Sequence, residues 1–220
     1  MLSRVWLGSF LSLSACASSG ASTAASPGVT GRAGSPATTA ATTAAAADAR
    51  IARLKRSFDC DADRTSGIEV CTLKDGMGGS LVRKRIEPVV LSTGAIHLRS
   101  VYRDQDWIYH DHVTVRIGDA VHRTAALPAT SPDVSRRVVR RQQREREGYI
   151  DETVSYRGAR DNGIIRAIAE AGPVPVVMQL AGGPRTYEKS LSDDEKRLFA
   201  EAYELARLFA ARAAAAGQGR

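Results

Sequence analysis

Apolar and polar residues alternate along several short stretches in the middle of the chain, a pattern typical of half-buried β-strands. Turn-forming sequences such as KDGMGGS, STG, RDQD and IGDA separate these stretches. Consecutive short strands joined by turns predict an antiparallel β-meander. The predicted strands are GIEVCTL, SLVRKRIEPVVLS, AIHLRSVY, DWIYHDHVTVRIG and AVHRTAAL, with YIDETVSYRG as a further one.

Apolar residues with helical spacing occur on either side of the predicted strands. Ile51, Leu54 and Phe58 follow this spacing in DARIARLKRSF. Later in the chain, Asp161 or Asn162 can cap a helix that ends at the Gly-Pro pair after it. The stretch PVPVVMQL then reads as a buried strand. The apolar residues of the capped helix are Ile164, Ile165 and Ile168.

The longest helix is predicted after PVPVVMQL. Ser192 and Glu195 form a capping box at its start. Strands followed by helices predict an α+β fold, in which an antiparallel β-meander sheet has C-terminal helices packed on one face. The globular domain is predicted to span residues 48–213, with a flexible tail at 214–220. The apolar stripe of the long helix is Leu198, Phe199, Ala202, Tyr203, Ala206 and Phe209.

A short apolar run begins close to the N-terminus, behind the single basic residue Arg4. A run of about ten residues is too short for a membrane-spanning helix, which needs roughly 20. A basic residue followed by such a run is instead typical of a secretory signal peptide. The run includes Val5, Trp6, Leu7, Phe10, Leu11 and Leu13.

The residues that end this run, Leu13-Ser14-Ala15-Cys16, resemble the lipobox of bacterial lipoproteins. The resemblance implies that residues 1–15 are removed and that Cys16 carries diacylglycerol and an acylated amino group. Two or more acyl chains attach a protein stably to a bilayer. Ala17 stands where many inner-membrane lipoproteins of Gram-negative bacteria have Asp, so the resemblance favours the outer membrane, facing the periplasm. An ordinary signal peptide that leaves Cys16 as a free thiol is the alternative.

The segment after the cysteine consists almost wholly of Ala, Ser, Thr, Gly and Pro up to residue 47. It has too little apolar bulk to offset its chain entropy. Residues 16–47 are therefore predicted to be a disordered tether with a mean span of about 30 Å and a limit of about 100 Å. An Ala-rich helix is the alternative, which the interspersed Pro, Gly and Thr disfavour.

Two of the three cysteines, Cys60 and Cys71, remain once Cys16 is acylated. The compartment implied by the lipobox is oxidising, so these two are predicted to form a disulfide. Closing this short loop stabilises the fold by about 3 kcal/mol in the loop-entropy model. A two-cysteine metal site is the alternative, but no neighbouring pair of ligands completes it.

Three histidines suggest a metal site. If Asp104-Gln105 forms a two-residue turn, the flanking strands bring His97, His110 and His112 together on one face of a hairpin. Three neutral imidazoles can bind zinc or copper, with water completing the shell. A solvated polar face is the alternative, because Arg99 beside His110 disfavours a cation. The opposite face then forms the core side, with Trp107, Tyr109, Val113, Val115 and Ile117.

Arginines give the chain its densest charge feature, in a chain with 31 Lys and Arg against 24 Asp and Glu. The cluster suggests contact with an anionic partner, such as phospholipid head groups, lipopolysaccharide phosphates or an acidic protein surface. A solvated helix or loop is the alternative, and nucleic acid is not expected in this compartment. The cluster comprises Arg136, Arg137, Arg140, Arg141, Arg144 and Arg146.

Catalytic motifs are not evident in the sequence. Asp151 and Glu152 are adjacent acids, but neighbouring residues on a strand point to opposite faces. No serine lies in G-x-S-x-G, and a disulfide leaves no cysteine free as a nucleophile. We therefore expect a protein that is not an enzyme and that has no cofactor, unless the histidines bind zinc or copper.

A second resemblance covers most of the globular region. VYRDQDWIYHDHVTVRIGD, YIDETVS, IIRAIAEAG, VPVVMQLAGG and LSDDEKRLFAEAY are similar to a domain of bacterial lipoproteins that carries no assigned activity. The sequence thus predicts a membrane-tethered envelope lipoprotein with a binding domain in the periplasm. Its partner would be an envelope protein or an anionic component of the cell wall or membrane. A metal-binding lipoprotein is the alternative.

Overall fold

The computed structural model describes residues 36–74, 83–139 and 148–218, which contain three α-helices and ten β-strands. The helices are α1 (Pro36–Leu54), α2 (Ile164–Glu170) and α3 (Asp193–Gln218). The strands are β1 (Phe58–Ala62), β2 (Glu69–Leu73), β3 (Arg83–Leu91), β4 (Ile96–Asp104), β5 (His112–Ile117), β6 (Ala120–Arg123), β7 (Val134–Val139), β8 (Tyr149–Tyr156), β9 (Val176–Ala181) and β10 (Tyr187–Ser190).

These strands form two antiparallel sheets. The larger sheet has six strands in the order β1-β2-β3-β4-β8-β7, and the smaller has four in the order β10-β9-β5-β6. The first four strands of the larger sheet are consecutive, so the predicted meander is present there. The mixture of helices and antiparallel sheets, with α3 packed against β3, confirms the α+β fold class.

Two clusters of buried residues make up the core. The larger cluster lies between the sheets and under α2 and α3, and it includes Leu98, Tyr156, Val113, Met178, Leu180, Ile164, Ile168 and Phe199. The smaller cluster joins α1 and α3 to the strands β1–β3, and it includes Ile51, Leu54, Phe58, Cys71, Val90, Leu205 and Phe209. The helices therefore cover one end of the larger sheet, and the smaller sheet covers the other.

The capping box predicted for α3 is present. The Ser192 Oγ accepts the backbone N–H of Glu195 at 3.2 Å, and the Glu195 carboxylate accepts the backbone N–H of Ser192 at 2.9 Å. Near its other end, α3 approaches the turn between β3 and β4. A Cβ built on Gly94 would lie 2.5 Å from the Cβ of Ala210, so a side chain at residue 94 would clash with the helix.

α1 begins before its predicted start and α3 ends after its predicted end, whereas Phe58, which was expected in the first helix, begins β1. Residues 36–47 were expected in the disordered tether but form the first part of α1, and residues 214–218 were expected in the tail but form the end of α3. Alanine has the highest helix propensity, and extending a packed helix costs less than nucleating one. No helix among the described residues is long and apolar enough to cross a bilayer. Residues 1–35, with the predicted signal peptide and Cys16, lie outside the described residues.

Candidate functional site

The predicted disulfide is confirmed. Cys60 and Cys71 face each other directly on β1 and β2 and are joined through their sulfurs. Glu69 lies close enough to complete a group of three potential metal ligands with them. Because the two sulfurs are bonded to each other, they are not free thiolates that could bind a metal.

The hairpin that would have brought His97, His110 and His112 together is not formed. β4 pairs with β3 and β8, whereas β5 pairs with β6 and β9 in the other sheet. The three imidazoles do not form a common ligand group within the described part of the chain. The assumed register was wrong because the segment after Asp104 crosses between the sheets instead of turning back.

Each of these histidines has a different environment. His97 lies on the larger sheet, where burial and the nearby charges of Arg157 and Arg99 lower its pKa to about 4. The Nδ1 of His112 lies 2.5 Å from the Asp111 carboxylate. His110 is completely buried, so the expectation that it lies on a solvated face was wrong.

A buried polar cluster surrounds His110. Its Nε2 lies 2.8 Å from the Oγ of Ser100 on β4, and its Nδ1 lies 3.3 Å from the Oε2 of Glu152 on β8. All three side chains are fully buried. Sequence reasoning missed this cluster because its members come from three separate segments, and only the pairing of β4 with β8 brings them together.

Glu152 holds the segment that crosses between the sheets. Its Oε1 accepts the backbone N–H groups of Ile108 at 2.7 Å and Tyr109 at 3.0 Å, and its Oε2 accepts that of His110 at 3.1 Å. Burial raises the pKa of Glu152, but the His110 side chain and the backbone donors outweigh this effect and lower it overall. The carboxylate is therefore ionised at neutral pH.

Arg136 belongs to this buried cluster and is not part of a solvated surface. One of its terminal nitrogens donates to the backbone oxygen of His110 at 2.9 Å, and its Nε lies 3.5 Å from the Glu152 carboxylate. Its guanidinium carbon lies 5.6 Å from the ring centroid of Tyr109. Of the two arginines of the predicted cluster that the structure describes, Arg136 and Arg137, the first points toward the inside of the sheet sandwich.

The order serine, histidine, carboxylate is that of a hydrolase triad, in which histidine activates the serine hydroxyl. Here, however, the hydroxyl of Ser100 is fully buried and also lies 3.4 Å from the backbone oxygen of Val154. A substrate would have to reach this hydroxyl through the core. The arrangement therefore joins the two sheets through buried polar contacts.

The larger sheet has a second face, turned away from the smaller sheet, which we call the outer face. On β3, β4, β8 and β7 it carries five arginines and two carboxylates. The carboxylates are Glu87 and Asp151, and both are buried. The arginines are Arg83, Arg85, Arg99, Arg103 and Arg137.

Each carboxylate on the outer face binds two arginines. Glu87 accepts the Nε of Arg99 at 2.5 Å and pairs with Arg85 at 2.5 Å. Asp151 pairs with Arg103 at 2.6 Å and with Arg137 at 3.6 Å. Burial raises the pKa of Asp151, but hydrogen bonding to Arg103 and the two guanidinium charges lower it overall. Each of these two sets therefore contains two guanidinium groups and one carboxylate.

Strand register places three of these arginines in one line across the sheet. Arg83 faces Arg103, Arg103 faces Asp151, and Asp151 faces Arg137. Arg137 is 67% exposed, so this end of the line is open to solvent. The remaining members of the predicted cluster, Arg140, Arg141, Arg144 and Arg146, follow β7 in the sequence and lie outside the described residues.

Tyr109 departs from the expectation that it lies on the core side. Val113 and Val115 are fully buried as predicted, but Tyr109 is 50% exposed and does not belong to the core. Its ring stacks on Trp107, which is partly buried. Tyr109 has a φ of 54°, a left-handed conformation that non-glycine residues seldom adopt.

The chain matches no protein-family model, and no curated protein is significantly similar to it.

Proposed function

We propose that the chain is an envelope lipoprotein, tethered to a membrane through Cys16, whose globular domain is a non-enzymatic binding module in the periplasm. The LSAC sequence at 13–16, behind Arg4 and a short apolar run, supports export and lipidation. The disulfide between Cys60 and Cys71 is consistent with an oxidising compartment. The outer membrane is the proposed site of attachment.

The arginine-rich outer face is the observation that carries the binding role. Its five arginines exceed its two carboxylates, and both carboxylates are buried beneath guanidinium groups. Arginine donates several hydrogen bonds in a fixed planar arrangement that suits phosphate oxygens. The proposed partner is therefore an anionic membrane surface, bound through its phosphate groups.

The position of the domain along the chain fits this partner. Twenty peptide units separate Cys16 from Pro36, the first residue of α1, and can span at most about 70 Å when fully extended. A domain anchored at Cys16 thus stays close to its own bilayer. Each weak contact between an arginine and a head group then benefits from a high local concentration.

The buried Ser100–His110–Glu152 cluster supports a binding role over hydrolysis. It is the arrangement among the described residues that most resembles catalytic machinery, and none of its three side chains is exposed. A nucleophile must contact its substrate, and this one is enclosed by both sheets.

Lipidation is tested by replacing the anchor residue. Cells expressing the full chain or Cys16→Ser are labelled with an alkyne analogue of palmitate, and their membranes are then fractionated. The proposal expects label and complete membrane association for the wild type, and an unlabelled, uncleaved product for Cys16→Ser. Equal labelling or equal cleavage of the two proteins would disprove attachment at Cys16.

The outer face is tested with vesicles and charge-matched variants. Arg83→Gln/Arg137→Gln removes two outer-face charges, while Arg166→Gln/Arg197→Gln removes two from α2 and α3. All are made in the Cys16→Ser chain, so that acyl chains do not contribute. The quantity compared is the binding to phosphatidylglycerol vesicles minus the binding to phosphatidylcholine vesicles. This difference should fall only in the first variant, and it should become smaller as the salt concentration rises. Equal losses in both variants would reject the outer face.

A further inference from the structure

The larger sheet ends in two strands that each have a single neighbour among the described strands. β1 pairs with β2 and β7 pairs with β8, so each presents one backbone edge outside the sheet. All the pairings in this sheet are antiparallel. Because the sheet has six strands, its two end strands run in opposite directions. The β1 edge of one copy therefore has the direction needed to continue the β7 edge of another copy as an antiparallel strand.

The free edge of β7 carries backbone groups that point away from the sheet. The backbone N–H of Ser155 on β8 donates to the oxygen of Asp133, and hydrogen-bonded pairs alternate along an antiparallel ladder. The N–H and C=O groups of Arg136 and Val138 therefore point outward, and no described backbone group pairs with them. Val138 is also 60% exposed. β7 thus offers donors and acceptors beside an uncovered apolar side chain.

The free edge of β1 carries a matching set. The backbone N–H of Asp63 donates to the oxygen of Ile68, which fixes the alternation on this strand. Cys60 and Ala62 consequently direct their N–H and C=O groups away from β2. Within the described part of the chain, no backbone group pairs with these either. Both ends of the sheet can therefore accept another strand.

Opposite charges lie at these two edges, on the same face of the sheet. The strand registers place Asp59 and Asp61 of β1 on the outer face, together with Arg137 of β7. The two aspartates are exposed, and the side chain of Arg137 is 67% exposed. If β7 pairs with β1 of another copy, the alternation of both edges puts one aspartate directly opposite Arg137 and the other diagonal to it. Opposite charges in these positions stabilise a pair of strands.

We propose that this chain associates with a second copy of itself by edge-to-edge pairing of β7 with β1. Backbone hydrogen bonds join the two strands, the aspartates of one copy pair with Arg137 of the other, and Val138 gains an adjacent strand. The contact uses different surfaces on the two copies, so it repeats head to tail. The outer faces of successive copies then lie on the same side of one continuous sheet. This pairing does not depend on the proposed contact between the outer face and a membrane.

Other pairings fit these edges less well. Twofold pairing of β7 with β7 places Arg137 near its own equivalent, and twofold pairing of β1 with β1 places Asp59 opposite Asp61. Like charges on neighbouring strands are destabilising. An unrelated acidic strand could pair with β7, but it would leave the acidic edge of β1 without a partner. A second copy continues both edges.

Photo-crosslinking in cells tests the pairing in the full chain. Photoreactive benzoylphenylalanine replaces Val138, and the irradiated protein is reduced, separated by size and digested with trypsin. We expect a covalent dimer in which residue 138 is joined to the tryptic peptide 57–64 of another copy, which contains β1. The same photoreactive residue in place of Val121, which is exposed on β6 of the smaller sheet, should give no dimer.

Charge variants made in the Val138-substituted chain test the edge contacts. Asp59→Lys/Asp61→Lys should lower the dimer yield roughly fivefold, because it places like charges beside Arg137. Asp119→Lys/Glu188→Lys changes the charge equally on the smaller sheet and should leave the yield unchanged. Yields are compared at equal amounts of protein.

A backbone variant distinguishes strand pairing from attraction between charges alone. Ala62→Pro removes an N–H that points outward from β1, a position at which an edge strand tolerates proline, and should lower the dimer yield. Ala62→Ser keeps the N–H and should not. The proposal is overturned if the parent gives no dimer, or if the crosslink joins residue 138 to another peptide. It is also overturned if either Asp59→Lys/Asp61→Lys or Ala62→Pro crosslinks as well as its control.

Discussion

The Nε2 of His110 lies 2.8 Å from the Oγ of Ser100, and both side chains are completely buried. Ser100 is part of the larger sheet, whereas His110 lies in the segment that leads into β5 of the smaller sheet. The hydrogen bond therefore fixes the point at which the chain crosses from one sheet to the other. Because the imidazole is completely buried, its Nε2 depends on Ser100 for a hydrogen-bond partner, whereas the hydroxyl of Ser100 also lies 3.4 Å from the backbone oxygen of Val154.

Ser100→Ala is expected to destabilise the fold by about 1–3 kcal/mol, because it leaves the imidazole of His110 without its partner. Urea unfolding followed by circular dichroism measures this difference. Ser155→Ala is the control: this serine is on β8, on the opposite face of the same sheet, and its replacement should have little effect. Equal stabilities of Ser100→Ala and the wild type would show that the hydrogen bond contributes nothing.

Glu152→Ala should destabilise the protein more strongly, by about 3–5 kcal/mol, because it removes the acceptor of three backbone N–H groups and leaves Arg136 partly buried without its carboxylate. Glu152→Gln keeps one acceptor oxygen and should cost less. Glu188→Gln breaks an exposed pair with Arg116 and should change stability by less than about 1 kcal/mol. Chemical denaturation ranks the three variants. If Glu188→Gln lowered the free energy of unfolding most, Glu152 would not be the residue that holds the crossing segment in place.

Local patterns in the sequence predicted local structure well. The alternation of apolar residues located β2, β3, β4 and β8, and the Ser192–Glu195 pair located the start of α3. These signals depend on residues only a few positions apart. The disulfide could be predicted because, once Cys16 was taken as the lipidation site and the chain as exported, the two remaining cysteines left a single possible pairing.

The sheet to which each strand belongs could not be predicted from such local patterns. The Asp104-Gln105 sequence resembles a hairpin turn, but the segment after it is held by Glu152, which lies more than 40 positions farther along the chain. β7 was obscured by its charges: Arg136 points inward to Glu152, and Arg137 points outward to Asp151. A strand whose inward positions include an arginine lacks the apolar alternation by which strands are recognised.

Removal of the disulfide should lower stability by about 3 kcal/mol, because Cys60 and Cys71 close a short loop between paired strands. Cys60→Ala/Cys71→Ala is compared with the wild type by urea unfolding under oxidising conditions. Addition of dithiothreitol should then destabilise the wild type and leave the double variant unchanged. If the reductant lowers the stability of both proteins equally, the bond is not the source of the difference.

Acid should destabilise the fold through His97 before the carboxylates begin to titrate. Burial and the charges of Arg157 and Arg99 lower the pKa of His97 to about 4, whereas an unfolded histidine titrates near 6.5. Between these values the unfolded chain binds more protons than the folded one, so stability falls as pH decreases from 6.5 toward 4.

His97→Gln cannot bind this proton. The urea midpoint of the wild type should therefore fall more between pH 7 and pH 5 than that of His97→Gln, while His122→Gln serves as a control for loss of a histidine elsewhere. Parallel pH profiles for the wild type and His97→Gln would show that His97 takes up its proton equally well in both states.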